Sequence, residues 1–423
     1  MSTPVIATPS SLAMARSPLF VTGKNNALTN DQLQAMSLSL RIRTGAKAAT
    51  GTANYVLSKD YSIDEIINFE IANLVRDEFE HPFGKAFIVA PSESETGEAL
   101  WIVPTGDWTY SDNGAAPDTA VWSTGTTYAF LVTEGWTPKG QPQLTPITQM
   151  GLALNRKMQV LQTNYQSLGA LYNTDSDLNG VLYTVNGTDY FYVLSDELGF
   201  ANTNTTTTQQ VIYIPTGPKN IEGYVGVLPT SDYSVSLISD SVAVNYKARV
   251  EADGGVCEGF ACLRAALEEL GYEENAETYE FELVCEPKYT PYLVQFVNRY
   301  GVSDYITFFK RSDERGNFTQ ESYQKSIYAD GFTDVNYVDG KYQSFNVNSR
   351  DAITLNTGFV EESYGEVMKD VLMSEKVAIY EDSQWMSIVP QRGSIDYQKH
   401  VNQKLINYTL TFDYGFDERM NIR

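Results

Sequence analysis

Histidine is almost missing from this chain, with only His81 and His400 among 423 residues. Hydrolytic sites built on serine or cysteine need a base beside the nucleophile, and that base is most often histidine. Neither histidine stands in an HExxH, GxSxG or Cys/His context. His81 precedes Pro82 in a turn-like stretch and His400 sits in a polar segment, so both read as surface or loop residues. Cysteine is nearly as scarce. Cys257, Cys262 and Cys285 are too few and too clustered for a disulfide framework, and a reducing cytosol is the simpler expectation. Cys257 and Cys262 also lack the CxxC spacing and histidine partners of a zinc site. Basic charge is short as well: 30 Lys and Arg against 53 Asp and Glu give a formal charge of −23. Such a surface repels phosphate backbones, so general nucleic-acid binding is not expected. No apolar run approaches the ~20 residues of a spanning helix, and Met1–Ser17 lacks the continuous apolar core of a signal peptide. Membrane insertion is therefore not expected. Phosphate cradles of the GxxxxGK[ST] or strand-GxGxxG-helix kind are missing too. These absences assign no catalytic, cofactor-binding or metal-ligating residue, and the chain reads as a non-enzyme.

What is present points to strands. Hydrophobic residues make up 42% of the chain, enough for real cores, and its 12% aromatics are dominated by 28 tyrosines. Tyrosine suits strands and interfaces because it buries a large ring yet keeps a polar handle. Leu38, Leu40 and Ile42 alternate with Ser39, Arg41 and Arg43, as Val242, Val244, Tyr246, Ala248 and Val250 alternate with polar neighbours. The longest alternation places Ile406, Tyr408, Leu410, Phe412, Tyr414 and Phe416 on one face of a terminal strand. Asn186-Gly187 and Asp339-Gly340 predict two tight hairpins, the second joining Val335–Val338 to Tyr342–Val347. Helical spacing predicts one helix over Glu361–Ser374 and another over Phe260–Leu270, with Gly271 as its stop. Asp64–Glu78 fits neither period, and the Gly-, Ser-, Thr- and Asp-rich Pro91–Thr127 reads as an irregular, loop-rich insertion. Asn202–Thr208 reads as a solvent-facing loop tip.

The expected fold class is mainly β: several antiparallel sandwich- or barrel-like modules with a few short helices. Three domains are expected, over residues 1–145, 146–288 and 289–423. The first carries the insertion near 91–127, the second a helical excursion near 257–272, and the third a helix near 361–374.

Two groups of residues invite a functional reading beside a plainer one. Asp175, Asp177 and Asn179, followed by Gly180, match the first half of a calcium loop, where alternate oxygens and a turn-making glycine wrap a hard cation. The twelfth position holds Asn186 instead of a bidentate glutamate, and a β-turn explains the same letters. Trp101, Trp108, Trp122 and Trp136 could stack on sugars, as a receptor- or glycan-binding module would need, or pack in cores and interfaces. Acid pairs in a chain with 53 carboxylates carry no glycosidase signal.

Several segments carry a resemblance. Lys288–Gly301 (KYTPYLVQFVNRYG) and Asp304–Lys310 (DYITFFK) resemble a pattern in structural tail proteins of phages that infect Bacteroidetes and related marine bacteria. Ile353–Phe359 (ITLNTGF), Leu372–Val377 (LMSEKV) and Asn402–Phe412 (NQKLINYTLTF) resemble that group's order of glycine turn, helix, short strand and long terminal strand. Phe69–Asp77 (FEIANLVRD) is similar to its first domain. The resemblance covers about half the chain, mainly 288–423. It implies a virion tail or tail-hub component, made in the host bacterial cytoplasm, with no catalytic residues to carry over. The implied partners are copies of itself in a ring and other tail or virion proteins.

Overall fold

The computed structural model describes residues 5–9, 12–24, 31–43, 50–60, 66–81, 93–95, 99–112, 116, 118–123, 125, 127–137, 156–161, 178–185, 188–193, 210–216, 219–225, 233–239, 276–284, 288–299, 301, 303–325, 340–361, 364–393 and 405–418. The protein is mainly β. Its packing divides the chain into two units, Met1–Cys285 with Val297–Tyr305 and Glu286–Phe296 with Ile306–Arg423. The boundary expected near residue 145, the strand over Val242–Val250, the helix over Phe260–Leu270 and the loop over Asn202–Thr208 lie outside the described residues.

The first unit opens with β1 (Val5–Ala7), β2 (Leu12–Met14), β3 (Phe20–Lys24), β4 (Asp31–Arg43), β5 (Tyr55–Asp60), β6 (Ile66–Glu70) and the short α1 (Ala72–Arg76). It continues through β7 (Glu93–Glu95), β8 (Ala99–Asp112), β9 (Asp118–Ser123) and β10 (Phe130–Thr133). One sheet runs β1-β3-β6 and another β2-β10-β8-β4-β5, with β9 also on β8. The two sheets share one core, in which Val21, Ile67 and Phe69 meet Leu38, Leu40, Leu100 and Ile102 in a sandwich-like arrangement. The alternation in β4 is as expected, with Met36, Leu38, Leu40 and Ile42 buried and Ser37, Ser39, Arg41 and Arg43 half-buried.

Asp64–Glu78 fits no single period because it holds two structures. Ile67 and Phe69 are the buried residues of β6, and Ile71 and Val75 then follow helical spacing into α1.

Pro91–Thr127 is a correction: it is not a loop-rich insertion. Within it β8 pairs with β4 along most of its length, from Arg43↔Trp101 to Asp31↔Asp112. Leu100, Ile102, Val103 and Trp108 are its buried anchors. Pro104, which has no N–H to donate, falls where the neighbour of β8 changes: β10 pairs only as far as Ile102, and β9 begins at Gly106. Gly106 is required by close approach, since a Cβ there would lie 2.0 Å from the Ser37 carbonyl oxygen and 2.6 Å from Trp122 Nε1.

Seven more strands complete the first unit: β11 (Arg156–Leu161), β12 (Leu178–Val185), β13 (Thr188–Val193), β14 (Gln210–Thr216), β15 (Lys219–Val225), β16 (Tyr233–Ser239) and β17 (Ala276–Val284). They form the sheets β11-β17-β16-β12-β13 and β14-β15-β7. Val185 stands opposite Thr188, so the strands flank Asn186-Gly187 as the hairpin signal requires.

The second unit is built on one seven-stranded sheet, of which Val297 and Ser303–Tyr305 group with the first unit. Its strands are β18 (Tyr292–Val297), β19 (Ser303–Phe308), β20 (Asp313–Gln324), β21 (Tyr342–Glu361), β22 (Val377–Glu381), β23 (Gln384–Pro390) and β24 (Leu405–Tyr414), in the order β19-β18-β22-β23-β24-β21-β20. The helix α2 (Tyr364–Met373) lies inside the expected range, and its Tyr364, Val367, Met368 and Val371 join the core. In β24, Ile406, Tyr408, Leu410 and Phe412 are buried as the alternation demands, whereas Phe416 lies past the strand and is exposed.

The first arm of the Asp339-Gly340 hairpin, Val335–Val338, lies outside the described residues, and Tyr342 of the second arm pairs with Gln324 of β20. One expectation is corrected here. Gly358 does not turn the chain into the helix. It sits at a bulge inside β21, at φ +74°, where its N–H donates to Asn356 Oδ1 and the pairing with β24 slips between Asn356 and Phe359.

Candidate functional site

Two places combine defined geometry with unusual chemistry. The first is a buried ion cluster in the first unit. β2 and β10 run parallel, and the pairing continues past them: Ala15 N–H donates to the Thr133 carbonyl and Arg16 N–H to that of Gly135. Arg16 is thereby carried alongside Glu134, with its Nη2 2.7 Å from Glu134 Oε1. His81, beyond α1, places Nε2 2.6 Å from Glu134 Oε2. Glu134 and His81 are both buried, the His81 ring stacks near Phe79, and Gly301 packs against the backbone of Glu134 and Gly135.

Burial alone would raise the carboxyl's pKa. The His81 hydrogen bond and the charges of His81 and Arg16 outweigh it and hold the group at about 2. Both carboxylate oxygens are engaged and the group stays ionised. A general base works best with a pKa near the working pH, so Glu134 is built as a structural tie, not as a proton acceptor. His81 was read as a surface or loop residue; it stands outside helix and strand, but it is buried and not at the surface. Its partner lies 53 residues away, and Arg16 lies 118 residues from Glu134, so no local motif could reveal the cluster.

The second place is a ribbon in the second unit. β20 is the outermost strand among the described residues, and its side chains are exposed on both faces along nearly its whole length. The paired stretch of β21 from Tyr342 to Asn346 is almost as open. Aromatic residues stand on this ribbon: Phe318 is 78% exposed, Tyr342 65%, and the Tyr323 and Phe345 rings meet edge-on at 5.7 Å. Asn346 takes φ +51° at a bulge, where Asn346 and Val347 of β21 oppose Gln320 alone, so β20 itself stays regular.

The other residues singled out by sequence separate as follows. Trp108 and Trp122 are core residues, with Trp122 Nε1 donating to the Ser37 carbonyl, so neither offers a free face to a sugar. Trp101 and Trp136 are half-buried. His400, Cys257, Cys262, Cys285, Asp175, Asp177 and Asn186 lie outside the described residues, while Asn179 and Gly180 fall in β12. Among the described residues no group of three or more His, Cys, Asp or Glu is placed to hold a metal ion, and no helix is long and apolar enough to cross a membrane. Comparison with protein-family models finds no match, and comparison with curated proteins finds none.

Proposed function

We propose that this chain is a structural subunit of a bacteriophage tail complex: a hub, distal-tail or adaptor-ring protein that assembles with copies of itself and with neighbouring virion proteins. The observation that carries the reading is the exposed ribbon of β20 and β21. A two-stranded ribbon open to water on both faces is marginal by itself, and exposed aromatic rings on it are the usual material of a protein–protein contact. The resemblance over 288–423 supports the tail assignment, and the net charge of −23 suits a subunit kept dispersed until it meets its partner. In this reading the chain acts by packing, needs no cofactor and resides in the virion. A tail-tip receptor- or glycan-binding module is weakened by the burial of Trp108 and Trp122, two of the four tryptophans proposed to stack on sugars.

Mass spectrometry of gradient-purified particles tests the proposal. The expected result is this chain at a fixed, multi-copy ratio to the major virion proteins. Its absence from intact particles, or its presence only in trace amounts, would refute the tail role.

A further inference from the structure

We infer that two copies of this chain pair edge to edge through β20, in antiparallel register about a two-fold axis at Phe318. The inference adds a two-fold contact between copies to the assembly proposed above, and it rests on the geometry of β20 and not on the tail reading.

Among the described residues β20 has a neighbour on one side only, and its outer row of N–H and C=O groups meets no other described strand. Proteins blunt such edges by shortening, bulging or covering them, because an open edge templates pairing with another chain. Here the edge runs twelve residues, the bulge falls on β21, and the strand is exposed. The sheet's opposite edge, β19, is buried along its whole length, so a second copy cannot dock there by adding a strand. Of this sheet's two edges only β20 is exposed, and β20 against its own copy is the pairing that a two-fold axis closes on itself.

A two-fold axis perpendicular to the sheet keeps every residue on its own face. It therefore allows only registers that oppose residues of the same face. With Phe318 on the axis, Arg315 stands opposite Glu321 of the second copy, and the symmetry repeats that pair. The same register opposes Asp313 to Tyr323, Glu314 to Ser322, Gly316 to Gln320, Asn317 to Thr319, and Phe318 to itself. Directly opposite unlike charges and aromatic pairs are the favourable cross-strand contacts. Slipping the register two residues one way sets Asp313 against Glu321, like charge to like, twice. Slipping it the other way brings Asp313 opposite Lys325 but leaves Arg315 opposite Tyr323 and Phe318 opposite Gln320. Of the three registers, only the one centred on Phe318 pairs Arg315 with Glu321 and sets the exposed ring against itself. Arg315 makes no hydrogen bond or ion pair among the described residues, so its guanidinium is available for this contact.

Sedimentation velocity of the full chain at ~0.15 M salt, over a wide concentration range, tests the pairing. The wild-type chain is expected to dimerise reversibly, or to form an even-numbered assembly. Arg315→Glu and Glu321→Arg each place like charges opposite at two points and should raise the dissociation constant at least about tenfold. Arg315→Glu/Glu321→Arg together restore the pair and should return it close to the wild-type value, a recovery that loss of folding cannot mimic. Register is read independently by mild oxidation. Directly opposite Cα atoms lie ~4.5–5.5 Å apart, within disulfide reach, so Phe318→Cys should give a covalent dimer and Gln320→Cys should not. A wild-type chain that stays monomeric throughout, an assembly indifferent to both single reversals, or a double reversal that fails to rescue would overturn the inference. An assembly of fixed mass that ignores both reversals would do so while leaving the structural-subunit reading intact.

Discussion

Glu134 shows how a single side chain can carry more stability than its neighbours in sequence. Its pKa is held at about 2, against 4.5 for an ordinary glutamate, so its contribution is fully present above pH ~4.5 and is lost as pH falls toward 2. Replacing it leaves Arg16 without its counter-charge and takes the carboxylate partner from His81 in a buried site. Glu134→Gln is expected to cost on the order of 3 kcal/mol. Denaturant titration of wild type and variant should show that gap at neutral pH and show it closing in acid; equal midpoints at pH 7 would contradict the account. Thr133, its neighbour in sequence, should behave in the opposite way. Its hydroxyl is fully buried with no hydrogen-bond partner among the described residues. Thr133→Val exchanges that oxygen for a methyl of similar size and should stabilise by about 1 kcal/mol, read from the same titration. Neither side chain was legible in the sequence. Contacts between residues 53 or 118 positions apart leave no local pattern, and a turn-like Pro82 beside His81 pointed outward instead.

At the level of elements, legibility followed the strength of the period. β24 and β4 each bury one face, so their alternation survives in the sequence and matches the structure. The helix α2 was equally legible because its four buried anchors keep helical spacing. β8 was not. Leu100, Ile102 and Trp108 do fall on one face, but Pro104, Gly106 and Asp107 interrupt the reading between them. Those residues are tolerated because the strand changes neighbour there and Trp122 closes over Gly106. The β22–β23 turn was missed for a related reason: Asp382 and Ser383 take the left-handed angles, φ +48° and +65°, that usually advertise themselves as Asn-Gly. The alternation in β24 makes a direct prediction. Phe412 is fully buried with its ring edge-on to Phe308, so Phe412→Ala should cost about 3–5 kcal/mol. The adjacent Thr411 shares a hydroxyl–hydroxyl bond with Thr354 on the more open face, so Thr411→Ala should cost about 1 kcal/mol. Thermal melts rank the two, and a reversed order would place the core on the wrong face of the strand.

For the whole molecule, composition and pattern made the mainly β class legible. They could not show where one chain's sheet might continue into another's, because an edge strand differs from an inner one only in what lies beside it. β20 reads as polar and unremarkable until its position at the rim of the described sheet leaves eleven of its twelve residues exposed. A chain of charge −23 that carries such a rim is expected to resist random aggregation and still to accept a specific partner. The proposed role is that of a building part of a phage tail. Electron microscopy of intact particles decorated with gold-labelled antibody against the chain tests that role. Label is expected on the tail, in a symmetric cluster at one level along its axis; label on the head alone, or undecorated particles, would refute it.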